Sequence, residues 1–431
     1  MREWIVKLAL VAFGFFIVVA FMAALEFGLS KFAPHPRTFY EQDEYIGWKG
    51  VPGKEKRYAD GRIASYLTRR AILNGGEVVS RVKINSHGFR DKERTYEKAE
   101  NTFRILVLGD SFTEAIQVPL EETFPYILEE KLNSGGGGGS TISPSLNPQR
   151  FEVLNLGITG FGTAQEYLTF EHYGLKYHPN FVILAFFIGN DVVDNSLTLG
   201  PDSDKPYFVL NGGNLEEIPF KINVGRPLGV TGQFQTLKYF FAEFFPNISN
   251  LLNARIKETS WLEDFLWKIG IVKSKPQYEK NGIPIYDYVY AEKYTPEWQG
   301  AWDITKAIIL KWAKELETDK IGFLVVVIPN EFEFRPDIWD KILNENPQMK
   351  TIKLDLRKPE HILSNFLEAN KIDYLLLRPE FERYSKETGK DLHFHYVYEN
   401  HWNADGHALV AQLIYKKLKD DKLIPMWTSN Q

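Results

Sequence analysis

The sequence contains no cysteine. That excludes a disulfide framework, thiolate zinc sites, iron–sulfur clusters and a cysteine nucleophile. It leaves the redox compartment open, because a chain without thiols is at ease on either side of a membrane. An excess of positive charge is missing as well: 51 Lys and Arg stand against 56 Asp and Glu, a net charge of −5. Such a balance gives no general phosphate-tracking surface, so nucleic acid is not an expected partner. Internal repeats are absent. Low complexity is confined to residues 134–149 (SGGGGGSTISPSLNPQ). Its consecutive glycines hold neither helix nor strand, which predicts a flexible surface connector. What remains is globular composition, 44% hydrophobic, 25% charged and 14% aromatic over 431 residues. At roughly 150 residues per domain, that length accommodates one large domain or two to three smaller ones.

From Leu8 to Leu25, 18 consecutive residues carry no charge. At about 1.5 Å per residue a helix there spans about 27 Å, close to the roughly 30 Å hydrocarbon core of a bilayer. The run is longer than a signal-peptide core. It also ends in Met22-Ala23-Ala24-Leu25-Glu26, without a clean small-x-small cleavage site. An uncleaved transmembrane signal anchor over residues 1–32 is therefore expected, since a helix apolar all round at this position has no obvious place in a core. Charge does not orient it: Arg2 and Lys7 on one side face Lys31 and Arg37 on the other.

Residues 33–100 are polar and hold Pro34, Pro36 and Pro52. The alternating stretch Val79–Asn85 predicts an edge hairpin or a small added sheet, so this region reads as a linker and β-rich extension. Regular α/β punctuation starts near residue 103. Phe103–Leu108 is almost wholly apolar, as a parallel strand buried on both faces should be. Further strands are predicted at Phe151–Leu156, Phe181–Phe187, Ile321–Ile328 and Ile372–Leu377. Helices are predicted after Thr123 as N-cap, then at Thr163–Tyr173, Trp298–Leu316, Glu360–Ala369 and Gly406–Leu418. This alternation predicts a parallel sheet covered by helices on both faces over residues 101–431. The interval from about 197 to 297 breaks the rhythm and reads as an insertion capping one end of the sheet, with helical pieces at Leu237–Phe245 and Ser260–Ile269.

Loops at the carboxyl ends of parallel strands are where open α/β sheets build their sites. The first predicted strand runs into Gly109-Asp110-Ser111-Phe112-Thr113-Glu114, which exposes a serine after a tight turn. Alone, Gly-Asp-Ser is ordinary turn chemistry. The glycine-rich Asn155–Thr163 follows the second strand, so backbone N–H groups there can approach a ligand closely. Phe187-Ile188-Gly189-Asn190-Asp191 follows the third and brings a side-chain amide. Glu399-Asn400-His401-Trp402-Asn403 precedes the last helix and supplies an imidazole with a carboxylate two residues earlier. A serine nucleophile, a backbone donor, an amide donor and a histidine base are the set that acyl transfer requires.

These blocks, in this order, resemble those of the SGNH hydrolases, the GDSL esterase/lipase superfamily, over about residues 100–194 and 320–418. The resemblance extends to membrane-anchored bacterial members, some of them polysaccharide O-acetyltransferase-like. It implies a flavodoxin-like three-layer α/β/α sandwich and a serine esterase or acyl hydrolase that needs no cofactor and no metal. By the same resemblance Ser111 is the nucleophile, its own N–H and that of Gly160 form the oxyanion hole with the Asn190 amide, and His401 is the general base. The superfamily's usual acid lies three residues before the histidine, where this chain has Tyr398. Relatives with Asp-x-His-Trp-Asn make Glu399 the analogue, one methylene longer. An acyl ester, of a small group such as acetyl on a carbohydrate or lipid, is the implied substrate, with the domain outside the cytoplasmic membrane. An O-acyltransferase modifying a cell-surface polysaccharide and a catalytically silent carbohydrate-binding protein stand as alternatives.

Several neighbouring groups read more simply. Asp110 is expected to order its turn, and Asp191 and Asp194 to cap the loop after the third strand, Asp191 with a chance to support Asn190. His393, His395 and Asp391 lack an evident third metal ligand. His401 is favoured over His407 because Asn403 reads as an N-cap, which puts His407 in the first turn of the last helix.

Overall fold

The computed structural model describes residues 13–14, 16–25, 27, 39–58, 80–134, 150–200, 205–218, 220, 282–394 and 401–425. The chain first makes two small antiparallel pairs. β1 (Tyr40–Asp43) pairs with β2 (Gly47–Gly50), and β3 (Glu55–Tyr58) with β4 (Ser80–Lys83). The expected added sheet is thus two separate ribbons, and neither joins the main sheet.

The main sheet is parallel and five-stranded. It consists of β5 (Thr102–Gly109), β6 (Arg150–Asn155), β7 (Phe181–Phe187), β10 (Gly322–Ile328) and β11 (Asp373–Leu376), in the order β11-β10-β7-β5-β6. Between them in sequence, β8 (Tyr207–Asn211) and β9 (Asn214–Ile218) form a hairpin of their own. Counting only the strands of the large sheet, the order is the flavodoxin-like one, with its switch point between β5 and β7. Register sets Leu106 against Leu154 and Val182, and Val325 against Leu184.

Successive strand residues point to opposite faces, so each strand feeds two cores. Leu106, Leu108, Val182, Leu184 and Phe186 pack with α3 (Thr163–His172), α5 (Pro296–Thr318) and α7 (Lys358–Ala369). Ile105, Val107, Ile183, Ala185 and Val326 pack on the other face. Their partners are α2 (Phe124–Ser134), α8 (Arg378–Thr388) and α9 (Ala404–Asp420). The three-layer sandwich expected from the sequence is present. The central strand β7 is apolar and buried at every position because neither face meets water.

The structure departs from the sequence reading in particulars. Thr123 does not cap α2 through its side chain; its hydroxyl donates to the Leu120 carbonyl at 2.7 Å. A helix outside the expected set, α6 (Pro336–Glu345), follows β10, and α8 is a second. α6 carries a short apolar stripe, Ile338, Trp339, Ile342 and Leu343, half-buried against the core, a helical pattern present in the sequence but missed; α8 buries only Phe381 and offers no such stripe. The described parts of the interval 197–297 pack on the core. Leu199, Phe208 and the stretch Ile283–Ala291 contribute buried residues to the core under α5. The pieces at 237–245 and 260–269 lie outside the described residues, as do residues 135–149 of the glycine-rich connector. In the apolar N-terminal run, residues 13–14 and 16–25 are helical, with Phe13, Phe16, Ile17, Phe21 and Leu25 exposed. No helix among the described residues is long and apolar enough to cross a membrane.

Candidate active site

β5 ends in Gly109, where the chain must turn at once into α1 (Ser111–Glu114). A Cβ on Gly109 would lie 2.2 Å from the Thr113 hydroxyl, so no larger residue fits this turn. Asp110 caps α1: its carboxylate accepts the Phe112 N–H at 2.9 Å. The expected turn-ordering role is the observed one. Burial pushes the Asp110 carboxyl up to about 6, opposed in part by that hydrogen bond and by the nearby His401. Ser111 opens the first turn of α1, where backbone N–H groups have no partner within the helix.

His401 reaches Ser111 from 290 positions away, its Nε2 2.7 Å from the serine Oγ. Two features aim the ring. His401 itself and Asn403 pair with the segment before them: Phe394 N–H donates to the His401 carbonyl at 2.9 Å and Asn403 N–H to the Leu392 carbonyl at 3.0 Å. The imidazole also packs on Phe112, ring centroids 4.9 Å apart, and Phe112 in turn meets buried Trp402 at 4.8 Å. Glu399 lies outside the described residues, as does His395.

Asn403 caps α9 as expected, accepting the Gly406 N–H at 3.0 Å. His407 is then a buried first-turn residue packed on Phe124, 6.1 Å between ring centroids, and it takes no part in the Ser111 contact. Burial drives its pKa down to about 3, with Arg90 and His401 adding to the same direction. The ring is therefore neutral in the fold but takes up a proton near its ordinary value once unfolded. Its contribution to stability is full above about 6.5 and is lost as pH falls toward 3. We expect the fall in melting temperature between pH 7 and pH 4 to be shallower in His407→Gln than in the wild-type protein, as read by circular dichroism.

The remaining two blocks follow the strands on either side of β5. The turn after β6 holds Gly160 at φ +81°. Asn190 follows β7, and its side-chain Nδ2 donates to the Phe161 carbonyl at 3.4 Å, which ties the third block to the second. Since β6, β5 and β7 are neighbours, Ser111, Gly160 and Asn190 sit at the carboxyl ends of adjacent strands, at the switch point of the sheet. Gly160→Ala puts a side chain into a left-handed conformation. We expect it to cost about 1–2 kcal/mol of stability, measured by urea denaturation.

Beneath the site, Glu166 and Asp191 are fully buried. Burial, then the charges of neighbouring carboxyls, raises both well above the ordinary carboxylate range. Asp191 does not support the Asn190 amide; its Oδ2 accepts the Phe187 N–H at 2.8 Å. Asp194 is likewise not a simple cap, since it pairs with Lys205 at 3.3 Å. Disfavouring ionisation here keeps extra negative charge away from a site where an oxyanion would develop. Asp391 pairs with Arg335 at 2.6 Å, and among the described residues no group of three His, Asp or Glu could hold a metal ion.

Sequence reasoning missed the contribution of the N-terminal extension. Arg90 is buried and donates to the carbonyls of Glu114, at 2.7 Å, and of Val118, and to Ala115 through a short bond. Tyr40 donates to the Glu114 carboxylate at 2.8 Å, and Trp48 Nε1 to the Thr159 carbonyl at 3.1 Å. None of these residues belongs to a periodic pattern. The one available signal was Glu114 itself, an acid among apolar neighbours directly behind the serine turn.

No protein-family model matches the chain, and no curated protein matches it. Solved structures similar to it include an acetyl xylan esterase, at TM-score 0.37 and 15% identity, covering 73% of this chain and 98% of that one. A lipase/acylhydrolase from Enterococcus faecalis follows at 0.36 and 12%, covering 76% and 100%. A GDSL-like lipase from Bacteroides thetaiotaomicron aligns at 0.34 and 11%, covering 76% and 93%. Overlaps of this size are a likeness in shape, and the functional reading rests on the residues.

Proposed function

We propose that the protein is a serine esterase of the SGNH type, cleaving an ester of a small acyl group such as acetyl on a carbohydrate or lipid. The observation that carries this reading is the 2.7 Å approach of His401 Nε2 to Ser111 Oγ at the switch point of the sheet. In this reading His401 takes the hydroxyl proton as Ser111 attacks the ester carbonyl. The oxyanion is met by the N–H groups of Ser111 and Gly160 and by the Asn190 amide, which swings from the Phe161 carbonyl. His401 then protonates the departing alcohol, leaving acyl-Ser111. Water, deprotonated by the same imidazole, attacks that acyl group and restores the serine. Glu399 is assigned to orient the imidazole. Losing one oxyanion donor typically removes about 10²–10³ in rate, and that is the expected fall in kcat for Asn190→Ala.

The reading also places the catalytic domain outside the cytoplasmic membrane on its N-terminal anchor. The exposed apolar side chains of helical residues 16–25 support the anchor, and the side of the membrane rests on the resemblance to anchored relatives. The test uses full-length protein in mild detergent, a chromogenic acetate ester and a fluorophosphonate probe. Turnover with labelling of Ser111 is the expected result. Absence of both sinks the enzymatic reading and favours a binding protein, and strong acceleration by an oligosaccharide that becomes acetylated makes the enzyme a transferase.

A further inference from the structure

Gly160 can donate to an oxyanion only if its N–H points into the site. A peptide unit is planar and trans, so that N–H points opposite to the carbonyl of Thr159 in the same unit. Whatever holds the Thr159 carbonyl therefore sets the direction of the Gly160 donor. Glycine at φ +81° offers little resistance of its own, because without a Cβ both orientations of the preceding peptide are accessible. An outside constraint is required, and the structure supplies it from two sides.

On one side the indole of Trp48, in β2, donates through Nε1 to the Thr159 carbonyl at 3.1 Å. The indole is half-buried, 5.3 Å from the Phe161 ring between centroids, and its Cζ2 lies 3.4 Å from where a Cβ on Gly160 would stand. On the other side Glu114 anchors the residue behind that carbonyl: its carboxylate accepts the Thr159 N–H, which belongs to the preceding Ile158–Thr159 peptide, at 2.8 Å and forms a short bond with the Thr159 hydroxyl. Glu114 is 1% exposed and ends the same short helix that Ser111 begins. Its carboxylate is held in turn by the Tyr40 hydroxyl, which lies 2.8 Å from both oxygens. Tyr40 is half-buried by exposure, and the desolvation of its hydroxyl followed by the charge of Glu114 raises its pKa well above the usual value, which keeps it protonated and donating.

We infer that Trp48 and Glu114 are positioning residues, Trp48 holding the Thr159 carbonyl so that the Gly160 N–H turns toward Ser111 and Glu114 anchoring Thr159 beside the serine turn, and that Tyr40 steadies Glu114. The inference rests on the esterase reading and adds to it: β1 and β2 of the N-terminal extension are part of the oxyanion machinery. The extension thereby fixes the distance between nucleophile and donor, because Glu114 ties the serine turn and the Gly160 turn to one carboxylate.

The experiment compares wild-type protein with Trp48→Phe, which keeps a ring and removes the donor, and with Glu114→Gln. Rates of acetate-ester turnover are normalised to sites titrated by the fluorophosphonate, and KM is measured separately. Inhibition by a boronic acid, which forms a tetrahedral adduct on serine, is measured alongside. We expect kcat per titrated site to fall about tenfold to a hundredfold in each variant, since small misplacement of a reacting group has effects of that size. KM should stay within about threefold while the boronate inhibition constant rises in step with the loss of kcat, as expected for an interaction made only in the transition state. A merely structural role would lower the melting temperature and the number of titrated sites without changing kcat per site. Unchanged kcat per site in both variants, with active wild-type protein, overturns the positioning role alone. Wild-type protein without turnover or labelling overturns the esterase reading and this inference with it. Should either variant fail to fold, Thr159→Val against Thr159→Ser gives the same reading: loss with valine and rescue by the serine hydroxyl support the lock, and equal rates reject the contact to Glu114.

Discussion

Ser111→Ala is expected to lower esterase turnover by about 10⁴-fold or more, leaving the residual rate that binding and oxyanion donors supply without a nucleophile. Fluorophosphonate labelling should vanish with it. The fold should be indifferent to the change. Ser111 is half-buried, its hydroxyl contacts His401, and no core packing depends on Oγ. Its melting temperature should therefore match the wild type, since a substitution away from core, cap and buried network usually shifts stability within about 0.5 kcal/mol. Initial rates with a chromogenic acetate ester and a thermal melt decide both halves. Turnover within tenfold of wild type in a folded variant would place the nucleophile elsewhere.

Arg90→Ala is expected to have the opposite profile, a large loss of stability. The guanidinium is 1% exposed and spends its donors on carbonyls of the turn after α1, with the Ser80 hydroxyl as a further partner at 3.3 Å. That turn includes Ala115 at φ +54°, a left-handed residue that lacks glycine's freedom and is held in place by its neighbours. Burial lowers the Arg90 pKa to about 10, against the pull of Glu114, so the side chain remains charged at neutral pH. Truncation removes one member of a buried charged network and leaves several carbonyls without a donor. The expected loss is about 3–5 kcal/mol, read from urea denaturation. Arg90→Lys should not restore it, because a single ammonium group cannot reproduce the planar fork. A loss below about 1 kcal/mol in the alanine variant would show that water replaces the guanidinium, and would remove Arg90 from the support of the serine turn.

Much of the sheet was legible because a strand buried on both faces must be apolar at consecutive positions. Phe181–Phe187 shows it without exception, and the predicted strands at 103–108, 151–156 and 321–328 lie within a residue or two of those observed. α5 was legible for a related reason: Trp298, Trp302, Thr305, Ile309, Trp312 and Leu316 recur at helical spacing and are buried. α8 was not, because it buries only Phe381 and its remaining residues are mostly charged or polar. The ribbons of the extension were legible as strand but not as partners of the site. A strand's own residues announce its pleat, whereas the loop it leans on can be any distance away along the chain.

The sequence by itself determined the layered α/β architecture, because local periodicity and turn chemistry are written in neighbouring residues, and its resemblance to the SGNH blocks supplied the candidates Ser111, Gly160, Asn190 and His401. The Asn403 N-cap already favoured His401 over His407, but only the tertiary structure brought the His401 ring within 2.7 Å of Ser111 Oγ, across 290 positions. The tertiary structure alone brought Tyr40, Trp48 and Arg90 to the serine and glycine turns. Hydrogen bonds between segments 24 to 111 positions apart depend on how the layers stack, and short-range pattern carries no record of that.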